Sequence, residues 1–322
     1  WYNGVEILRY WSPFPAYVMA FCQYLAGGSQ FGAYLFYIGG VCFLGACVWP
    51  FIGRGFNRPY LGAFIGLLWF FMPNNLCAIF IEGNLARSLS MIFLPVFIYS
   101  VYKYLYNHKL RYIPLMVFTF LLMELCHLGY AGMVAIAVII YGIVYMIQKG
   151  RKKAVLDVVI SMIFGFMLLG IWLVASLRGG ITSLDNSENM ANFFQNLWIT
   201  INPFERLTRG FEYFYFGFAT LIVIVFGILF GYKKSRTGFV TGFIILLMTT
   251  KSAYAVLKHL PGSQYLWMLR FISIALCMIL MSFLMWDRLK KTLVLMLCVL
   301  LVVDTIPSCL LYTSDAADEE DS

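Results

Sequence analysis

The side chains with the greatest chemical capacity lie in short polar breaks between long apolar runs. The first break reads FMPNNLCAIFIEGNLAR, Phe71 to Arg87, and supplies a carboxylate at Glu82, an amide at Asn84 and a guanidinium at Arg87. A carboxylate in such a place could take a proton from an acceptor hydroxyl or bind a metal ion. The amide could position a polar ligand, and the guanidinium could hold a phosphate through a pair of hydrogen bonds. A second break, Lys251 to Leu269, carries Lys258 and His259 and ends at Arg270. Cations there could grip a phosphate and stabilise it as it leaves. Plainer roles fit the same residues. Glu82 suits the favourable field at a helix N-terminus, and Arg270 suits a side chain that snorkels toward lipid headgroups. Glu6 is a further candidate carboxylate near the start of the chain.

Other chemistries find no support in the residues. The three His, at 108, 127 and 259, lack metal-ligand spacing, so there is no zinc site. A divalent cation held by carboxylates stays open, and the cofactor is undetermined. Eight Cys are scattered without a CxxC pair, so no disulfide framework is expected. No glycine-rich phosphate loop and no dinucleotide fingerprint is present.

The elements that position these breaks are set by composition. Hydrophobic residues make up 62% of the 322 residues and charged residues only 12%, with a mean hydropathy of +0.83. A soluble domain could not bury that much apolar surface. The expected fold is therefore all-α, a polytopic integral membrane protein with about ten transmembrane helices plus interfacial helices. Pro13 and Pro15 interrupt the first segment, leaving Ala16–Leu25 as a short interfacial or re-entrant helix. Pro73, Asn74 and Asn75 are expected to end one span, and Ala86–Tyr104 to form the next. Met190, Phe193, Phe194, Leu197, Trp198 and Ile201 recur at helical spacing, which predicts an amphipathic helix on the membrane surface.

The net charge of +8 follows from topology rather than from nucleic-acid binding. Fifteen of the 23 Lys and Arg, among them Lys233, Lys234 and Arg236, crowd into five short alternate loops. By the positive-inside bias those loops face the cytoplasm, and the Glu82 and Lys258 breaks face outward. Membrane lipid is the expected surrounding. Charges near the middle of the spans are almost absent, which argues against ion-coupled transport.

A family resemblance rests on four stretches: WYNGVEILRYWSPFPAYV, FMPNNLCAIFIEGNLARSLSMIFLPV, HLGYAGM and LPGSQYLWMLRFISIAL. Together they resemble the bacterial membrane proteins labelled "6-pyruvoyl-tetrahydropterin synthase-related domain", over most of Trp1 to about Ile306. Those proteins are similar to the GT-C class of membrane glycosyltransferases and to YfhO-type membrane proteins. The resemblance implies a GT-C-like multi-helix fold in the bacterial cytoplasmic membrane, with an outward-facing site and a polyprenyl-phosphate sugar donor. It carries over Glu82, Gly83 and Asn84 as EGN, and Arg270 within LRFISI. Pterin chemistry is not implied, since that soluble enzyme class needs several His around zinc.

The resulting expectation is a glycosyltransferase-like protein. Glu82 would be catalytic, and Asn84, Arg87, Lys258, His259 and Arg270 would bind substrate. A lipid-linked glycan transporter or a non-catalytic assembly protein are the alternatives. Residues 1–307 read as one multi-helix transmembrane domain whose first helix, and main carboxylate, lie upstream of Trp1. Residues 308–322 read as a non-native read-through tail.

Overall fold

The computed structural model describes residues 12–80, 82–170, 172–174, 198, 201, 216–259, 267–286 and 289–305. Glu6 and the proposed amphipathic helix over 190–201 lie outside that description, apart from single helical positions at 198 and 201. The described chain is helical throughout, as its apolar composition requires. It divides into two compact units, one of Trp1–Val48 with Asn84–Asn186 and the other of Trp49–Gly83 with Ser187–Ser322.

The first unit holds α1 (Phe14–Leu25), the greater part of α2 (Gln30–Gly55), α5 (Leu85–Asn107), α6 (Tyr112–Cys126), α7 (Leu128–Lys149) and α8 (Lys152–Leu168). Tight reversals join α5 to α8. His108 ends α5 at φ 52°, and Gly150 ends α7 at φ 68°, the left-handed conformation that stops a helix. His127 both ends α6 and caps α7, its Nδ1 accepting the Tyr130 N–H at 3.1 Å. Aromatic packing fastens the helices. Phe97 and Phe120 lie 5.2 Å apart between α5 and α6, and Tyr102 stacks on Tyr141 of α7 at 4.5 Å. Buried tyrosines spend their hydroxyls on backbone, Tyr145 on the Leu105 carbonyl at 2.6 Å and Tyr37 on the Leu85 carbonyl at 2.9 Å.

The second unit begins at Trp49 within α2. It continues through α3 (Pro59–Trp69), α4 (Pro73–Phe80), α9 (Phe218–Phe230), α10 (Lys233–Met248), α11 (Lys251–Leu257), a 3₁₀ turn (Met268–Arg270), α12 (Phe271–Met285) and α13 (Lys291–Val303). α12 is the centre of this unit, buried at every residue from Phe271 to Leu284. Glycines set the close helix contacts. A Cβ on Gly62 would lie 2.4 Å from the Trp49 carbonyl, so α3 packs backbone to backbone against the end of α2.

Among the described residues, four helices are long and apolar enough to cross a membrane: α2, α5, α7 and Met268–Met285. α3 and α4 pass the same test only as a pair, bent by 45° at the break between them, the pattern of a broken span or a re-entrant loop. Shorter apolar helices, among them α6, α9 and α13, accompany these. The Phe71–Arg87 stretch is not an open polar loop. Pro73, Asn74 and Asn75 do not simply end a span but begin α4, where proline suits a first helical turn. Lys233, Lys234 and Arg236 are likewise the first turn of α10 rather than a loop, and Lys251–Leu257 is helical.

α9 starts at a cap supplied from far along the chain. Asp304, buried at the end of α13, accepts the Ala219 and Thr220 N–H groups at 3.1 and 2.8 Å and the Thr220 hydroxyl at 3.2 Å. Gly217 makes room for it at φ 116°, and a Cβ there would lie 2.3 Å from Asp304 Oδ2. Asp304→Ala should cost about 1–2 kcal/mol, the usual worth of a lost cap. Thermal unfolding in detergent should show a lower Tm for Asp304→Ala and a smaller drop for Asp304→Asn, which keeps an acceptor. An unchanged Tm for the alanine variant would show that the cap is idle.

Candidate functional site

The residues expected at the site separate into distinct environments. Asn84 and Arg87 come together at the start of α5. The Asn84 carbonyl oxygen accepts the Arg87 N–H at 3.0 Å, the bond of a helix N-cap, so this side chain has a structural task. Arg87 is fully buried, and its guanidinium carbon lies 5.9 Å from the Tyr130 ring centroid. A cation over an aromatic face is held electrostatically where water is excluded. Ser90 on the next turn donates to the Met123 carbonyl at 3.4 Å. Ser12 bridges the neighbouring helix ends. It donates to the Glu124 carbonyl at 3.0 Å and accepts the Leu128 N–H at 3.3 Å.

Glu82 belongs to the second unit and is partly exposed. Its N–H bonds to the Cys77 carbonyl at 2.9 Å, which closes the end of α4. Lys258 and His259 follow α11 and are exposed. The Lys258 ammonium lies 5.8 Å from the Tyr254 ring centroid one turn earlier.

Arg270 has the most constructed setting. It ends the 3₁₀ turn before α12 and is partly buried. Its guanidinium carbon sits 4.5 Å from the Trp267 ring centroid, and its carbonyl accepts the Ser273 hydroxyl at 2.9 Å. The adjoining Leu269 carbonyl accepts Asn74 Nδ2 at 3.2 Å. That bond joins the turn carrying Arg270 to the first turn of α4, at the break in the bent span. Asn75, fully buried beside it, donates to the Trp69 carbonyl at the end of α3 at 2.6 Å. The break is thus laced by two amides, and Arg270 stands next to it. α4, eight residues and about 12 Å long, separates Asn74 from Glu82. Glu82 therefore follows the end of α4 away from the Asn74–Leu269 bond.

Sequence reasoning missed Asn74, Asn75 and Trp267 as partners of this site. Two adjacent amides inside the apolar run 59–80 were the available signal, because an amide buried in lipid must have a partner. Among the described residues no group of three or more His, Cys, Asp or Glu could hold a metal ion.

A family model described as 6-pyruvoyl-tetrahydropterin synthase related domain, membrane protein, matches residues 8–312. No curated protein and no solved structure matches the chain.

These environments should separate in a thiol-labelling experiment on the folded protein. Lys258→Cys and His259→Cys should react quickly with a maleimide, above the background of the native cysteines. Arg87→Cys should react only after denaturation. Equal labelling of all three in the folded state would contradict the burial of Arg87.

Proposed function

The chain belongs to the 6-pyruvoyl-tetrahydropterin synthase related domain family of membrane proteins, and on that premise we propose that it is a glycosyltransferase-like membrane protein. Its donor is a sugar carried on a polyprenyl phosphate, and its acceptor lies at the outer face of the membrane. The observation that carries this reading is the Arg270 guanidinium stacked on Trp267 beside the α3–α4 break. A guanidinium is planar, permanently charged and weakly hydrated, so it suits a phosphate at the boundary of a bilayer. Stacking limits its rotamers and lowers the ordering cost of binding. Developing charge on a leaving phosphate would be stabilised there. Exposed Lys258 and His259 supply further donors for the same anion, and Glu82 acts on the acceptor. Asn84 caps α5 and Arg87 is buried against Tyr130, both within the first unit.

A second reading, movement of a lipid-linked glycan without bond breakage, is favoured by the bent span itself. Discontinuous helices with buried polar groups at the break are a recurrent basis for substrate passage. The two readings differ in product. Transfer releases polyprenyl phosphate, and movement leaves the donor intact.

Arg270→Ala in the full-length protein should lower transfer from a polyprenyl-phosphate sugar by roughly 10- to 100-fold, the loss of one charge-assisted contact. Arg270→Lys should fall between, keeping the charge and losing the fork. Turnover unchanged in Arg270→Ala would remove the phosphate role. Intact donor appearing on the opposite leaflet would replace transfer with transport.

A further inference from the structure

The opposite ends of the first unit's helices differ sharply in charge. Where α5 and α7 finish and α6 and α8 begin, Lys109, Arg111, Lys149, Lys152 and Lys153 are exposed. Two features make this more than a scatter of cations.

First, a compact group of cations and phenols is built across the α5–α6 reversal. The Lys103 ammonium lies 5.6 Å from the Tyr99 ring centroid. The Arg111 guanidinium carbon lies 5.1 Å from the Tyr112 ring centroid, and its Nη2 donates to the Tyr112 hydroxyl at 3.2 Å. The two tyrosine rings stand edge to face, 6.1 Å apart at 85°. Lys103, Tyr99, Tyr112 and Arg111 thus form one chain of contacts between α5 and the start of α6. Second, the neighbouring α7–α8 reversal is joined to it, because the Arg151 guanidinium and the His108 ring are in direct contact. Asp157, the acidic residue nearest to these turns, is engaged by the Tyr104 hydroxyl at 2.6 Å.

We infer that this end of the first unit binds the phosphate of an anionic phospholipid, with Lys103 and Arg111 as its contacts and the buried Tyr112 hydroxyl holding Arg111 in position. A phosphodiester oxygen accepts well from a guanidinium and an ammonium together. The choice of lipid over a free anion rests on the apolar residues at the same tips. Leu110, between Lys109 and Arg111, is 72% exposed, and Ile147, two residues before Lys149, is 81% exposed. Large apolar side chains beside cations suit the level where acyl chains give way to headgroups. A zwitterionic headgroup would bring its own cation against the patch, so the site selects for net negative charge. This inference is independent of the Arg270 site and of any transfer reaction.

The test is lipid retention by the purified full chain, with native mass spectrometry counting bound phosphatidylglycerol against phosphatidylcholine. Phosphatidylglycerol should be retained at least about tenfold more strongly, and K103Q/R111Q should weaken it about 25-fold, near fivefold per cation. Excess inorganic phosphate should not displace it. K233Q/K234Q, which removes two cations from α10, should leave retention within about twofold. Tyr112→Phe should weaken it by a smaller factor, and it decides the matter if the double variant does not elute as a monodisperse folded species. Equal retention of the two lipids, or no change in K103Q/R111Q or Tyr112→Phe, would overturn the inference. An equal loss in K233Q/K234Q would show diffuse charge rather than a site, and displacement by inorganic phosphate would show a free-anion site.

Discussion

Water is absent from a protein interior, so a peptide group left open where a buried helix breaks must find a partner within the protein. The α3–α4 break meets that demand with side chains. Asn75 closes the Trp69 carbonyl at the end of α3, and Asn74 reaches the Leu269 carbonyl before α12. An unsatisfied amide or carbonyl in such surroundings costs several kcal/mol, so the two asparagines hold the bend in one arrangement. The same bonds fix the turn that carries Trp267 and Arg270. The setting of the candidate phosphate contact and the satisfaction of the broken span are one piece of chemistry.

The rest of the second unit is organised around α12. A helix apolar on all sides must be covered on all sides, and small residues let its neighbours come close. Gly242 of α10 faces Ile279, and a Cβ there would lie 2.6 Å from Ile279 Cγ1. Gly227 of α9 packs against Phe239 of α10 in the same manner. The first unit relies instead on tyrosines, which fill space with a ring and satisfy backbone with a hydroxyl, as Tyr145 does for Leu105.

Much of this architecture was legible in the sequence. Apolar run length gave the membrane class, and the short first helix, expected at Ala16–Leu25, begins two residues earlier at Phe14 because Pro15 fits within a first helical turn. The Pro73–Asn75 stretch misled because proline and asparagine favour turns and helix first turns alike. Only the positions of Trp69 and Leu269 decide between them, and Leu269 lies 195 residues away from Asn74. Asn84 and Arg87 illustrate a related ambiguity. An amide three residues before an arginine has the spacing of a binding pair and equally that of a helix cap. The burial of Arg87 against Tyr130, on another helix, was outside the reach of local pattern. Lys233, Lys234 and Arg236 read as a loop because charge marks the end of a span, yet charged residues also form good helical first turns beyond the apolar stretch.

The Asp304 cap bears on the order in which the chain acquires its structure. α9 begins at Phe218, and the carboxylate that receives its first amides lies 85 residues beyond Ala219. While a ribosome is still synthesising α10 to α13, the leading turn of α9 lacks that partner. Contacts this distant in sequence are made late and slow the search for the native state. Release of the segment around residue 304 is therefore the event that completes the cap of α9.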